Sequence, residues 1–106
     1  MAYNEVLAGK IRKALAGKKR VKEQRMFGGL AFMVNGKMCI TIRDDRLMCR
    51  VDPAIHDRLL KQKDCHTVLM RGREYKGYLH VDGACFNKKT ERNFWLKLAL
   101  EYNATL

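Results

Sequence analysis

The sequence predicts an α+β fold: a mostly antiparallel five-stranded sheet with three helices, in the order α-β-β-β-α-β-β-α, built as a single domain over residues 1–106. Three observations predict it. Apolar residues alternate on both sides of Asn35-Gly36, the strongest short-range signal for a β-hairpin. Apolar residues recur at four-residue spacing near both ends of the chain, as they do along one face of a helix. The strands come in consecutive hairpins with helical segments outside them, which favours an antiparallel sheet over a doubly wound one.

Residues 4–17 read as the first helix. Asn4 is placed to cap it, Glu5 sits near the positive end of the dipole, and Leu7, Ile11 and Leu15 form one apolar stripe. Gly17 is the expected stop. Residues 26–51 then read as three strands joined by tight turns at Asn35-Gly36 and Asp44-Asp45. If each turn has two residues, Val34 pairs with Lys37 and Arg43 with Arg46.

Counting outward from those turns assigns the faces. Ala31, Met33, Met38, Ile40, Ile42, Leu47, Cys49 and Val51 are expected on the core side. The opposite side receives Leu30, Phe32, Val34, Cys39, Thr41, Met48 and Arg50, more apolar than a water-facing surface. Leu30, Phe32, Val34, Cys39 and Met48 are therefore expected to be covered, by a helix of the chain or by a partner. The simplest such interface is a homodimer, and a regulatory protein partner is the other form of it. The same counting places Cys39 and Cys49 on opposite faces, out of reach of a disulfide.

Asp52-Pro53 opens the second helix with a capping carboxylate and a proline at the first turn, and Ile55, Leu59 and Leu60 supply its buried side. Strands are expected at 67–70 and 75–81, separated by a turn at Gly72 and ended by Asp82-Gly83. The last helix is expected over 90–102, capped by Asn87 or Thr90. Phe94, Leu98 and Tyr102 make its stripe, with Trp95 alongside.

Charge is the feature with the clearest functional pull. The net charge is +11, from 22 Lys and Arg against 11 Asp and Glu, which predicts attraction to polyanions, nucleic acid first. Lys18, Lys19, Arg20, Lys22 and Arg25 fall between the first helix and the first strand, where flexible side chains can contact phosphates without reading bases. Arg71 and Arg73, beside Lys76, form a second cluster. Zinc fingers, a helix-turn-helix and stacking motifs are missing, so nonspecific contact is expected.

Other chemistry is poorly supported. The four cysteines (Cys39, Cys49, Cys65, Cys85) and three histidines (His56, His66, His80) show no metal-ligand spacing, so no metal is expected. No cysteine pairs by pattern with an activating histidine and an acid, and Asp44-Asp45 and Asp52 read as turn and cap, so no catalytic residue is expected. Neither GxGxxG nor GxxxxGK[ST] occurs, and no cofactor or small-molecule substrate is implied. With no long apolar run and no signal-peptide pattern, the chain is expected to stay in the cytoplasm, off the membrane, with reduced thiols.

Met26-Phe27-Gly28-Gly29, followed by Leu30-Ala31-Phe32 and by Asn35-Gly36, resembles the opening strand and hairpin of the TfoX N-terminal family. Asp45-Arg46-Leu47-Met48, Lys76-Gly77-Tyr78 and Trp95 with Ala99-Leu100 extend the resemblance over nearly the whole chain. It implies an α+β domain of the kind found in regulators of bacterial natural competence, here as a stand-alone member. On physical grounds, the paired glycines of MFGG read as a packing or bulge device.

Overall fold

Asn4 opens the first helix because its short side chain replaces a missing backbone partner. In the computed structural model, which describes residues 3–18, 20–26 and 28–106, its side-chain oxygen accepts the Leu7 N–H at 3.1 Å. Helix α1 (Glu5–Ala14) buries Leu7, Ala8 and Ile11, and Leu15 follows them into the core. Strands β1 (Val21–Met26), β2 (Gly29–Val34), β3 (Lys37–Arg43) and β4 (Arg46–Arg50) come next. A 3-10 turn (Pro53–Ile55) then leads into α2 (His56–Gln62), followed by β5 (His66–Met70), β6 (Arg73–Asp82), a second 3-10 turn (Gly83–Asn87) and α3 (Lys89–Asn103). The sheet has six strands in the order β1-β2-β3-β4-β6-β5, every neighbouring pair antiparallel.

The fold is thus α+β as expected, with one strand more than the five anticipated. Residues 21–26 hide from an apolar-alternation reading because they form an edge. Lys22, Glu23, Gln24 and Arg25 are all exposed, leaving only Val21 and Met26 half-buried at the two ends. Charges on an edge strand keep foreign strands from pairing with it, so its polarity is itself a product of its place in the sheet.

Both tight turns form. Asn35 and Gly36 have φ of 55° and 78°, Asp44 has φ of 53°, and Val34 faces Lys37 while Arg43 faces Arg46. Beyond Met33 the counting fails. Met33 pairs with Met38, but Phe32 pairs with Ile40 and Leu30 with Ile42, so Cys39 is an extra residue in a β-bulge. The bulge lets two consecutive residues, Cys39 and Ile40, both point inward, with exposures of 1% and 0%.

This corrects the face assignment of β2. Leu30, Phe32 and Val34 join Ile40, Ile42, Leu47 and Cys49 in the core, while Ala31, Met33 and its partner Met38 turn to the other face. The surface expected to bind a partner is therefore inside the molecule: Leu30, Phe32, Val34 and Cys39 are buried by the chain's own elements, and of that set Met48 alone is half-buried. Cys39 and Cys49 likewise share the core and do not lie on opposite faces; both are free thiols.

The helices cover that face. Leu7, Ile11 and Leu15, with Phe86, Trp95, Leu96 and Ala99, form one cluster with the inward residues of the sheet. Helix α3 buries Trp95, Leu96, Ala99 and Asn103, leaving the expected stripe of Phe94, Leu98 and Tyr102 half-buried. Its first turn has no side-chain cap, since Lys88 occupies the capping position, and neither Asn87 nor Thr90 caps it. Its last turn is tied to the sheet by Asn103 Nδ2, which donates to the Val34 carbonyl at 3.1 Å. Among the described residues, no helix is long and apolar enough to cross a membrane.

Candidate polyanion-binding surface

Strand direction decides which cations meet. Val21 lies opposite Val34, which lies opposite Lys37, and Met70 lies opposite Arg73, so the start of β1, the Asn35-Gly36 turn and the Arg71-Gly72 turn share one end of the sheet. The Asn35 N–H donates to the Arg20 carbonyl at 3.1 Å and pins the loop carrying Lys18 and Arg20 to that end. Lys18, Arg20, Lys22, Lys37, Arg71 and Arg73 are all exposed there. Because β1 and β5 are opposite edges, five strand spacings separate the two basic clusters, roughly 24 Å.

The nearby acids are already engaged. Glu23 accepts two hydrogen bonds from Arg12 at 2.6 Å, and the Arg12 guanidinium holds its carboxyl below the usual carboxylate range. Asp57 and Glu74 share the Lys76 ammonium, the latter at 2.8 Å, and both carboxyls are lowered by that contact. Asp52 accepts the Ala54 N–H as a cap. Among the described residues, Lys18, Arg20, Lys22, Lys37, Arg71 and Arg73 make none of the ion pairs, all of which involve other cations.

The basic segment is not one flexible run, as its sequence suggested. Half of it is β1, where Lys22 opposes Met33 and Arg25 opposes Leu30, so the two side chains leave opposite faces of the sheet. Arg25 also lies near the far end of the strand, beside the Met26–Gly29 pair, and does not join the cationic end. Lys19 lies outside the described residues.

Most of the family-motif residues turn out to shape the backbone. A Cβ on Gly29 would collide with the Ile42 carbonyl, so β2 and β3 approach this closely only with glycine there. Gly28 precedes it at positive φ, and Phe27 lies outside the described residues. Gly77 has φ of 91°, and a Cβ there would sit 2.9 Å from the Val51 carbonyl. Its N–H donates to His56 Nδ1 at 2.9 Å and its carbonyl accepts the Val51 N–H at 2.7 Å. Tyr78 lies under the Arg50 guanidinium, 5.6 Å from ring centre to Cζ, and Tyr102 lies 5.9 Å from it.

The sequence offered His56 only as a metal ligand lacking ligand spacing, and nothing near it in the chain signals the structural role it takes. It is fully buried and acts as a clip. With Nδ1 accepting from Gly77, the proton belongs on Nε2, which faces Thr67 Oγ1 at 3.0 Å. Among the described residues, His56, Asp57 and Glu74 are the one gathering of three histidine, cysteine or carboxylate ligands. Its charge is already balanced by Lys76, and its imidazole is spent on backbone and hydroxyl contacts.

The thiols are held away from their reactive form. Burial pushes Cys39 up to about 11 and raises Cys49 further, and burial also raises Cys65 and Cys85. A protonated thiol is a poor nucleophile.

The sheet face turned away from the helices holds a concavity of about 730 Å³. Thr41, Met48, His80, His66 and Val68 line it, with Arg43 and Arg46 and the acids Asp44, Asp45 and Asp82 around them. Its central histidine is unusual in one respect: among the described residues, His80 Nδ1 is the buried side-chain polar atom with no hydrogen-bond partner. Burial, then Arg46, lowers the pKa of this imidazole.

Compared with known proteins, residues 13–102 match the family model described as TfoX N-terminal domain. No curated protein matches the chain.

Proposed function

The chain belongs to the TfoX N-terminal domain family, and from that premise we propose that it is a non-enzymatic cytoplasmic binding module, like the domains of competence regulators, that contacts nucleic acid nonspecifically. The contact surface is the cationic end of the sheet: Lys18, Arg20 and Lys22 at one edge, Arg71 and Arg73 at the other. One observation carries this reading. Exposed cations are gathered at one end of the sheet while the nearby acids Glu23, Asp57, Glu74 and Asp52 are bound to Arg12, Lys76 and a helix cap, and Glu101 faces Lys97.

The chemistry fits phosphate contact without base recognition. Lysine and arginine side chains on loops and strand ends supply long-range attraction and counterion release, neither of which depends on sequence. A spread of roughly 24 Å between the two clusters matches about seven base pairs of duplex at ~3.4 Å each. Both clusters can therefore engage one polyanion at once.

The test is the salt dependence of binding to a labelled duplex and to a single strand. For wild type, the logarithm of the association constant falls steeply with the logarithm of salt concentration. The triple variant Lys18→Ala, Arg20→Ala, Lys22→Ala reduces the duplex slope by about 2–3, one increment of ~0.9 per lost phosphate contact. Absence of binding at low salt, or a slope unaltered by the triple change, rejects the proposal.

A further inference from the structure

We propose that Met48, His80 and His66 form a binding site for a soft monovalent metal ion, Cu(I), on the sheet face turned away from the helices. The inference is independent of the nucleic-acid reading, because none of these residues belongs to the cationic end.

The register builds the site. Thr41 lies opposite Met48, Met48 opposite His80 and His80 opposite His66, so these four side chains form one row across β3, β4, β6 and β5. Directly paired residues project to the same face with Cβ atoms about 4.5–5.5 Å apart. A thioether and an imidazole therefore flank the His80 ring on its two sides. The row forms part of the lining of the 730 Å³ concavity.

A second observation points to a ligand. His80 Nδ1 is buried and makes no hydrogen bond of ordinary geometry, although the ring lies near the Leu47 backbone; a buried polar atom ordinarily finds a full partner. Coordination of a metal by an imidazole nitrogen would satisfy the ring.

The donor set and its surroundings select the ion. Thioether and imidazole donors suit Cu(I), whereas harder divalent ions favour carboxylate oxygens. The carboxylate closest along the strand on this face, Asp82, already accepts the Ala84 N–H and lies opposite Arg46. Arg43 and Arg46 beside the concavity are offset by Asp44, Asp45 and Asp82, which also line it, so the preference for Cu(I) over Zn(II) rests on the thioether of Met48. The cysteines that would compete for a soft ion are largely elsewhere: Cys39, Cys49 and Cys65 are buried in the core cluster, and Cys85 is half-buried.

The experiment titrates the reduced full-length chain anaerobically with Cu(I) against bathocuproine disulfonate, and separately with Zn(II). Methyl and imidazole NMR signals of Met48, His66 and His80 report the contact. The expected result is a single equivalent bound, with those signals shifted. Met48→Leu, which conserves volume, and His66→Ala, at an exposed position, each lower Cu(I) affinity by about tenfold or more. Thermal melts check that both variants fold, and the exposed His66→Ala change keeps the test valid even if Met48→Leu does not. Cys85→Ser and the triple variant at Lys18, Arg20 and Lys22 retain wild-type affinity. No binding, binding lost in Cys85→Ser, affinity unchanged in His66→Ala, or Zn(II) held more tightly than Cu(I) would each overturn the site.

Discussion

Gly77 shows how a single residue holds several elements together. Its positive φ turns β6 so that its N–H reaches His56 and its carbonyl reaches Val51, joining β6 to α2 and to the end of β4. Alanine there meets both an unfavourable φ and the Val51 carbonyl. Gly77→Ala is expected to lower stability by about 1–3 kcal/mol, read from the urea midpoint. At the same scale, raised thiol pKa values predict slow alkylation: at pH 8, iodoacetamide labels half-buried Cys85 first and native Cys39 and Cys49 last, as peptide mapping would reveal. Rapid labelling of Cys39 in the native state contradicts its burial. By contrast, Arg12→Ala removes an exposed ion pair and costs under about 1 kcal/mol.

The bulge at Cys39 governs the β2–β3 element. Without it, Leu30, Phe32 and Val34 would point away from the face that β3 fills with Ile40 and Ile42; with it, both apolar sets enter one core. Side-chain chemistry at position 39 matters less than the presence of a residue there. Cys39→Ala keeps the fold and loses about 1–2 kcal/mol, whereas deleting Cys39 slips the register and abolishes cooperative unfolding measured by circular dichroism. Phe32→Glu places an unpaired charge at a site with no exposure, so it unfolds the domain by removing more than about 4 kcal/mol. A folded, stable Phe32→Glu protein would show that β2 faces the other way.

Across the whole molecule, charge is distributed by the sheet. Its cationic end gathers Lys18, Arg20 and Lys22 from the first quarter of the chain, Lys37 from the Asn35-Gly36 hairpin, and Arg71 and Arg73 from the far-removed β5–β6 turn. Such a surface attracts polyanions before any short-range contact forms, so association with nucleic acid should slow as salt rises. Stopped-flow measurements at several salt concentrations check this: the wild-type association rate falls, and the Arg71→Ala, Arg73→Ala double variant shows a shallower fall. Equal salt dependence in the two proteins would restrict the contact surface to the β1 edge.

Local chemistry determined much of this protein by itself. Asn4 as a cap, Asn35-Gly36 as a turn with positive φ, Asp52-Pro53 as a helix start and the alternation along β4 and along β3 from Ile40 onward are all consequences of residues within a few positions of one another. The family likeness in MFGG and KGY was equally legible, because those glycines are required by backbone geometry. The bulge, the β1 edge and the row from Met48 to His66 were decided by the tertiary structure. An extra residue in a strand costs nothing that neighbouring residues can reveal, an edge strand needs no apolar alternation, and a cross-strand row depends on hydrogen-bonded partners far apart in the chain. Pairing across space, and not the order of residues, selected which side chains became core and which became surface.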